Sequence, residues 1–225
     1  MDGKRAFDVV VSSSGLVLLS PAFGLVALAV KLDSRGPVLF GQDRIGRDGR
    51  PFRMLKFRTM VSGASGPNVS ATADARITRV GSVLRRCFVD ETPQLLNVLR
   101  GDMSLVGPRP ETPGYAALLD ADECRIFSVR PGMTGPSTIA FSAAEPAILA
   151  THDDPDRFYR EHLLHARVRA DLAYVDGAGR GQDLRILAET ALLVLAGVGV
   201  TLSRPRAARR PWRRRSGAGP HRARP

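Results

Sequence analysis

Cysteine is scarce in this sequence: Cys87 and Cys124 are the two among 225 residues. Two isolated cysteines supply neither the paired spacing of a zinc site nor a disulfide framework. We therefore expect both thiols to be reduced and structural, as in a cytosolic protein.

Acidic residues are absent from the end of the chain, where nine arginines lie between Arg204 and Arg224. These arginines account for most of the net charge of +11, so the remainder of the chain is nearly neutral. The tail is rich in proline, glycine and alanine, a composition typical of disorder. We expect residues 204–225 to form a disordered tail that binds anionic lipid headgroups, and we expect no nucleic-acid partner.

Long apolar runs are also rare. One uncharged, mostly apolar run, Val9 to Val30, stands in a chain whose mean hydropathy is −0.08. As a helix it would reach roughly 33 Å, enough to cross the apolar core of a bilayer. Its length permits a single spanning helix, and Lys4-Arg5 with Ala27-Leu28-Ala29 also permits a cleaved signal peptide.

A third interpretation of this run is a re-entrant helix that returns to the side it entered from. Pro21 removes a backbone donor and bends a helix, while the Ser20 hydroxyl can satisfy a freed carbonyl. Lysines and arginines flank the run on both sides, and such residues mark cytoplasmic flanks. The charges therefore favour a re-entrant membrane helix over residues 1–32, broken at Ser20-Pro21.

The rest of the pattern predicts a small α+β domain, mainly helical, over residues 33–203. Strands Val38–Ile45 and Phe52–Phe57 surround the turn signal Asp48-Gly49, which predicts a β-hairpin. The composition of residues 61–74 predicts a loop. A short basic helix is expected over residues 76–86.

Three further helix starts are predicted from capping residues. Thr92 before Pro93 marks a helix that Gly101 ends. Asp154-Pro155 starts a second helix, and Asp183 caps a last one whose apolar end is too short to span a membrane.

Asp90 and Glu91 are adjacent carboxylates placed just before the helix that Thr92 is predicted to cap. Helix N–H groups stabilise nearby anions, so we expect depressed pKa values. An ionised carboxylate suits a nucleophile or a magnesium ligand better than a general acid. An Asp-Glu pair before a helix is more often a simple cap. The surrounding motifs, however, favour a catalytic role for this pair.

Cations are needed wherever a carboxylate approaches a phosphate, because they neutralise the repulsion. Pro108 and Pro110 fix the backbone on both sides of one arginine and so hold it in position. The candidate cations are Lys56, Arg58, Arg85 and Arg109.

These motifs, in this order from about Lys4 to about Thr190, resemble the bacterial sugar transferases. This family comprises small monotopic polyprenyl-phosphate phosphoglycosyl transferases that start cell-surface glycans. The segments that carry the resemblance are Ser20-Pro21, residues 36–46, residues 56–60, Asp90-Glu91, Pro108-Arg109-Pro110 and residues 130–135.

The resemblance implies an enzyme that transfers a phosphosugar from a UDP-sugar to polyprenyl (undecaprenyl) phosphate and releases UMP. Such a reaction is the first step of exopolysaccharide, capsule, O-antigen or glycoprotein glycan assembly. By the same resemblance, Asp90 forms a covalent phosphosugar intermediate and Glu91 helps to hold Mg²⁺. It also implies a monotopic protein on the cytoplasmic face of the bacterial inner membrane, and it leaves a homodimer open.

The resemblance also assigns substrate contacts and shows two departures. Its substrate-binding residues are Lys56, Arg58, Arg85, Pro108, Arg109, Pro110 and Arg130. Thr92 stands where relatives commonly have an apolar residue. No lysine or arginine occurs from Pro131 through Asp156, where many relatives have a Gly-Arg that serves the substrate phosphates. Either Arg130 compensates or substrate binding differs.

A rival hypothesis is a non-catalytic membrane-surface protein whose tail binds anionic lipid or nucleic acid. It leaves the ordered carboxylate and cation motifs without a role. Release of UMP in the presence of Mg²⁺ separates the two hypotheses.

Overall fold

The computed structural model describes residues 3–64, 66, 74–142, 144–177 and 179–203. The described part is mainly helical and carries two small sheets, in agreement with the predicted α+β class. The basic tail from Arg204 and much of the loop over residues 61–74 lie outside it. The helices are α1 (Gly3–Asp33), α2 (Arg79–Arg86), α3 (Gln94–Arg100), α4 (Pro113–Ala116), α5 (Pro136–Phe141), α6 (Glu145–Leu149), α7 (Pro155–Phe158), α8 (Leu164–Gly177) and α9 (Arg180–Ser203). The strands are β1 (Leu39–Ile45), β2 (Pro51–Phe57), β3 (Ser104–Val106) and β4 (Gly132–Thr134).

The predicted hairpin is confirmed. Strands β1 and β2 pair antiparallel, from Leu39 opposite Phe57 to Ile45 opposite Pro51. Asp48 and Gly49 form the turn with φ values of 59° and 73°, the left-handed conformation that makes Asp-Gly a turn signal.

A second sheet, β3 parallel to β4, was not predicted from the sequence. Strands of three residues are too short for a pattern of alternation to emerge. The two segments approach so closely that a Cβ on Gly132 would lie 2.1 Å from the Gly107 nitrogen. Glycine at this position is therefore required by space.

The predicted cap at Thr92 is wrong. Thr92 has helical angles, φ −59° and ψ −28°, and its hydroxyl donates to the Val89 carbonyl rather than accepting from the helix. Helix α3 begins two residues later, and Gly101 ends it in the left-handed conformation as predicted.

Asp183 is also not a cap, since α9 begins at Arg180. Its carboxylate instead accepts hydrogen bonds from Lys4 Nζ and from the Tyr174 hydroxyl, both at 2.6 Å. The cap at Asp154 is confirmed, because its side chain accepts from the Arg157 N–H at the start of α7.

Helix α1 is a single helix that contains Pro21, so the predicted break at Ser20-Pro21 is not seen. Pro21 leaves the Val17 carbonyl without its usual donor, and the Ser20 hydroxyl donates to that carbonyl at 2.8 Å. By length and composition α1 could cross a membrane.

Both ends of α1 are attached to the same domain. At its start, Lys4 pairs with Asp183, and Asp8 accepts from the Ser104 hydroxyl of β3 at 2.8 Å. At its end, Asp33 accepts from the Val80 N–H, and Val30 packs with buried residues of β2 and α2. Its opposite face exposes apolar side chains, namely Val10, Val17, Leu18, Leu25, Leu28 and Leu32.

We predict that Asp8→Ala destabilises the protein. Asp8 is 2 % exposed, and loss of its carboxylate leaves the Ser104 hydroxyl and the Leu105 N–H buried without their acceptor. We expect the free energy of unfolding, measured with urea in detergent, to fall by about 1–3 kcal/mol. Asp43→Ala, at an exposed position of β1, is the control and should change it by less than about 0.5 kcal/mol. Equal stability of the two variants would contradict the role of Asp8.

Candidate active site

A cavity of about 670 Å³ lies between the hairpin, the turn that precedes α3, the loop after β3, and helix α8. Charged side chains of both signs contribute to its wall. They include Arg44, Lys56, Arg58, Arg85, Asp90, Glu91, Arg109, Glu111, Glu145 and Arg167.

Asp90 and Glu91 reach this cavity from a 3-10 turn, Val89–Glu91. The turn begins after Phe88, which adopts the left-handed conformation with φ 56° and ψ 16°. Such a conformation is unfavourable for a phenylalanine, and strained backbone of this kind clusters at functional sites. The Asp90 side chain ends up buried in the cavity wall.

Lys56 and Arg109 both face Glu91. Lys56 Nζ lies 2.6 Å from Glu91 Oε1, and Arg109 Nη2 lies 3.8 Å from the same oxygen. Burial alone raises the pKa of Glu91, but these two cations outweigh it and hold the pKa at about 2. Glu91 is thus ionised at neutral pH, as predicted, although the cause is the two cations rather than a helix terminus.

Asp90 behaves in the opposite way, and the predicted depression of its pKa is wrong. Burial, followed by the negative charge of Glu91, raises the pKa of Asp90 to about 6, against the influence of Lys56 and Arg85. The carboxylate does not cap α3, because Thr92 and Pro93 separate it from the first residue of that helix. At neutral pH, Asp90 is still mostly ionised.

Arg109 is positioned through its backbone by a buried acid. Its N–H donates to Asp171 Oδ2 at 2.9 Å, and Asp171 also accepts from the N–H and the hydroxyl of Ser137. Helix α8 and the start of α5 therefore hold the loop that carries Arg109. This adds to the rigidity expected from Pro108 and Pro110.

The structure brings together most of the predicted site residues. Lys56, Arg85 and Arg109 line the same cavity as the two carboxylates. Pro108 and Pro110 flank Arg109 without lining the cavity.

Two predicted contacts are placed differently. Arg58 lies in the wall, but Nη2 donates to the Val30 and Ser34 carbonyls at the end of α1. Arg130 is not among the lining residues, and its Nε donates to the Gly101 carbonyl at 2.9 Å.

Sequence reasoning did not single out Arg44, Glu111, Arg167 or Asp171. One signal was available for Arg44, since Phe40, Gln42 and Arg44 alternate along β1 and all line the cavity. Glu111 follows directly after Pro110. No local pattern marks positions 167 and 171, which reach the site because α8 packs beside it.

Glu91 is suited to bind a magnesium ion together with a substrate phosphate. No group of three or more His, Cys, Asp or Glu residues in the described chain could hold a metal by itself. Mg²⁺ commonly binds through one or two carboxylates together with substrate phosphates. A carboxylate with a pKa near 2 beside a cationic cavity meets that requirement.

A known protein family matches the sequence of this chain. The model of the family described as "Bacterial sugar transferase" matches residues 2–197. The chain belongs to this family. Its bacterial sugar transferase region covers nearly all of the described residues.

Several curated bacterial sugar transferases are similar to the chain. The UDP-glucose:undecaprenyl-phosphate glucose-1-phosphate transferase of Caulobacter vibrioides is 40 % identical over 83 % of this chain and 67 % of its own length. The exopolysaccharide production protein PSS of Rhizobium leguminosarum bv. phaseoli is 40 % identical over 84 % and 93 %. The undecaprenyl-phosphate glucose phosphotransferase of Komagataeibacter xylinus is 44 % identical over 82 % of this chain and 34 % of its own length.

We predict opposite pKa shifts at Asp90 from two substitutions. Glu91→Gln removes a negative neighbour and should lower the Asp90 pKa from about 6, whereas Arg85→Met removes a positive neighbour that is not paired with Glu91 and should raise it. Both can be measured by NMR titration of ¹³C-labelled aspartate carboxyls. Shifts of the same sign would show that the charges of these neighbours do not set the Asp90 pKa.

Proposed function

We propose that this chain transfers a sugar 1-phosphate from a UDP-sugar to a polyprenyl phosphate, the undecaprenyl form by analogy with its relatives, and releases UMP. The observation that carries the proposal is the ionisable Asp90 beside Lys56, Arg85 and Arg109 in one cavity. Such cations neutralise the negative charge of a bound diphosphate. The nucleophile that attacks the diphosphate must lie beside them. The names of the relatives support both substrates and an exopolysaccharide pathway.

The proposed chemistry consists of two displacements at one phosphorus atom. An Asp90 carboxylate oxygen attacks the phosphorus that bears the sugar, and the bond to the bridging oxygen breaks with its electron pair leaving on UMP. The lipid phosphate oxygen then attacks the same phosphorus and releases the Asp90 carboxylate. The product is a polyprenyl diphosphate sugar, and Asp90 is regenerated.

The surrounding residues have distinct roles in this scheme. Lys56 and Arg109 neutralise negative charge on the diphosphate and on departing UMP. Arg85, anchored by its Nε to the Thr59 hydroxyl at 2.8 Å, adds positive charge near Asp90. We propose Glu91 as the magnesium ligand, and the ion would supply further neutralisation of phosphate charge.

We propose that the protein sits on one side of the membrane, at the cytoplasmic face. Both ends of α1 are attached to one small domain, through Asp8 at one end and Asp33 at the other. A helix that crossed the membrane would place those ends on opposite sides. The exposed apolar face of α1 suits burial in lipid, and a re-entrant bend at Ser20-Pro21 remains our proposal for the membrane-bound state.

Asp90→Asn should abolish UMP release, because the amide is a poor nucleophile of the same shape. The assay combines purified protein, Mg²⁺, undecaprenyl phosphate and a panel that includes UDP-glucose and UDP-N-acetylgalactosamine. The wild-type protein is also incubated with a UDP-sugar in the absence of undecaprenyl phosphate. Mass spectrometry should then detect a sugar-phosphate adduct on the peptide that contains Asp90.

The matched control for this experiment is Asp43→Asn, an exposed acid outside the cavity lining, which should keep wild-type activity. Activity of Asp90→Asn within tenfold of the wild type would rule out the covalent role. Absence of UMP release by the wild type with every UDP-sugar would rule out the proposed function.

The one-sided placement predicts the reactivity of two introduced cysteines. Gly3→Cys at the first residue of α1 and Arg35→Cys just beyond its last residue are both at exposed positions. The two variants are made separately in a Cys87→Ser, Cys124→Ser background. Both should resist a membrane-impermeant thiol reagent in intact cells and react after lysis. Labelling of position 3 but not 35 in intact cells would instead show that α1 spans the membrane.

A further inference from the structure

One segment of the chain that lines the cavity contributes no cation to it. Residues of the segment 131–156 line the cavity wall, yet that segment contains no lysine or arginine. The lining residues from this segment are Thr138, Ser142, Glu145 and Pro146. The positive charge on this side comes from Arg167 of α8, which lines the same cavity.

Arg167 is buried, with 3 % of its surface exposed. Its Nη1 is paired with the Glu145 carboxylate, and its guanidinium carbon lies 5.9 Å from the centre of the Phe141 ring. These two contacts hold the guanidinium against the wall. They use one of its nitrogen atoms and one of its faces.

The remaining nitrogens of Arg167, Nε and Nη2, are buried and have no hydrogen-bond partner within the described part of the chain. These two atoms form one edge of the guanidinium plane, and this edge can donate to two oxygens of one phosphate. A buried charged donor left without an acceptor is unfavourable, and an anion in the cavity would relieve that cost.

Two other arginines of the cavity wall donate to the protein from their terminal nitrogens, and in each of them only Nε is buried without a partner in the described part of the chain. Arg44 donates from Nη1 to the Pro110 carbonyl and from Nη2 to Gln42. Arg58 donates from Nη2 to backbone carbonyls at the end of α1. Arg167 differs because both nitrogens of one bidentate edge are buried without an acceptor in the described part of the chain.

The charges around Arg167 also favour an anionic ligand. Burial, followed by repulsion from Arg109, lowers the pKa of Arg167 to about 10, and Arg44 contributes to the same effect. Arg167 remains protonated at neutral pH and adds to the positive field of Arg44 and Arg109. A ligand that carries two or more negative charges would stabilise all three.

We infer that the Nε and Nη2 edge of Arg167 binds the diphosphate of the nucleotide sugar. The inference rests on the proposed function and identifies a further substrate-binding residue for it. Arg130 does not fill this role, because it does not line the cavity and its Nε is bonded to the Gly101 carbonyl. The alternative is that Arg167 serves only to hold α6 against α8 through Glu145.

The test compares Arg167→Gln with Arg169→Gln, an exposed arginine on the same helix. Calorimetric titration of the full-length protein with UDP should show affinity reduced about tenfold or more by Arg167→Gln, since a charge-assisted contact is lost. Arg169→Gln should stay within twofold of the wild type. Unchanged UDP affinity in a folded Arg167→Gln variant would overturn the inference.

A second variant separates ligand binding from a structural ion pair. Glu145→Gln removes the partner of Nη1 and leaves the other edge of Arg167 in place. If Arg167 binds the diphosphate, Glu145→Gln should retain UDP affinity far better than Arg167→Gln. Equal loss in the two variants would mean that the ion pair, rather than the free edge, matters.

Arg167→Lys covers the case in which Arg167→Gln does not fold. Lysine keeps the charge but not the two-pronged edge, so UDP affinity should fall severalfold at an unchanged melting temperature. Wild-type affinity in this variant would overturn the inference.

The inference can also be tested apart from the proposed function. Titration with inorganic pyrophosphate measures the anion site without any sugar transfer. Weaker pyrophosphate binding by Arg167→Gln than by Arg169→Gln would support the site even if no UDP-sugar were turned over. UMP release by the wild type together with equal pyrophosphate binding by both variants would reject the site and leave the proposed function standing.

Discussion

The ion pair between Lys56 and Glu91 is the contact on which the site depends. It joins the end of the hairpin to the turn before α3 at 2.6 Å, and it helps to keep the half-buried Glu91 ionised. Without such a partner, removal from water would raise the pKa of the carboxylate. Because Glu91 stays charged, it raises the pKa of its neighbour Asp90. One contact thus gives two adjacent carboxylates different properties, which suits a division between metal ligand and nucleophile.

The rest of the fold surrounds this pair with cations from distant parts of the chain. Asp171 holds the backbone of Arg109, and Arg44 joins β1 to the same loop through the Pro110 carbonyl. Both ends of helix α1 are hydrogen-bonded to the domain, and the apolar side chains on the other face of α1 are exposed. The proposed site for a nucleotide sugar and a lipid phosphate is thereby placed in the domain that carries the exposed apolar face of α1.

Sequence reasoning succeeded where neighbouring residues make the structure. The hairpin follows from Asp48-Gly49, and the end of α3 follows from Gly101, since both depend on local backbone conformation. It failed at Thr92 and Asp183, where side chains that could cap a helix are bonded elsewhere. For Asp183 one of those partners, Lys4, lies far away in the sequence, so no local pattern could reveal that contact.

The sequence by itself determined the family motifs, the apolar helix and the adjacent carboxylates, because each is a property of consecutive or regularly spaced residues. It also singled out Lys56, Arg85 and Arg109, which the structure places in the wall of one cavity. Only the tertiary structure decided that the pKa of Asp90 is raised, since that depends on burial and on the net balance of charges brought together by folding. The tertiary structure likewise decided that Arg167 lies in the cavity wall and Arg130 does not, because helix packing, rather than position along the chain, determines which side chains face a common space.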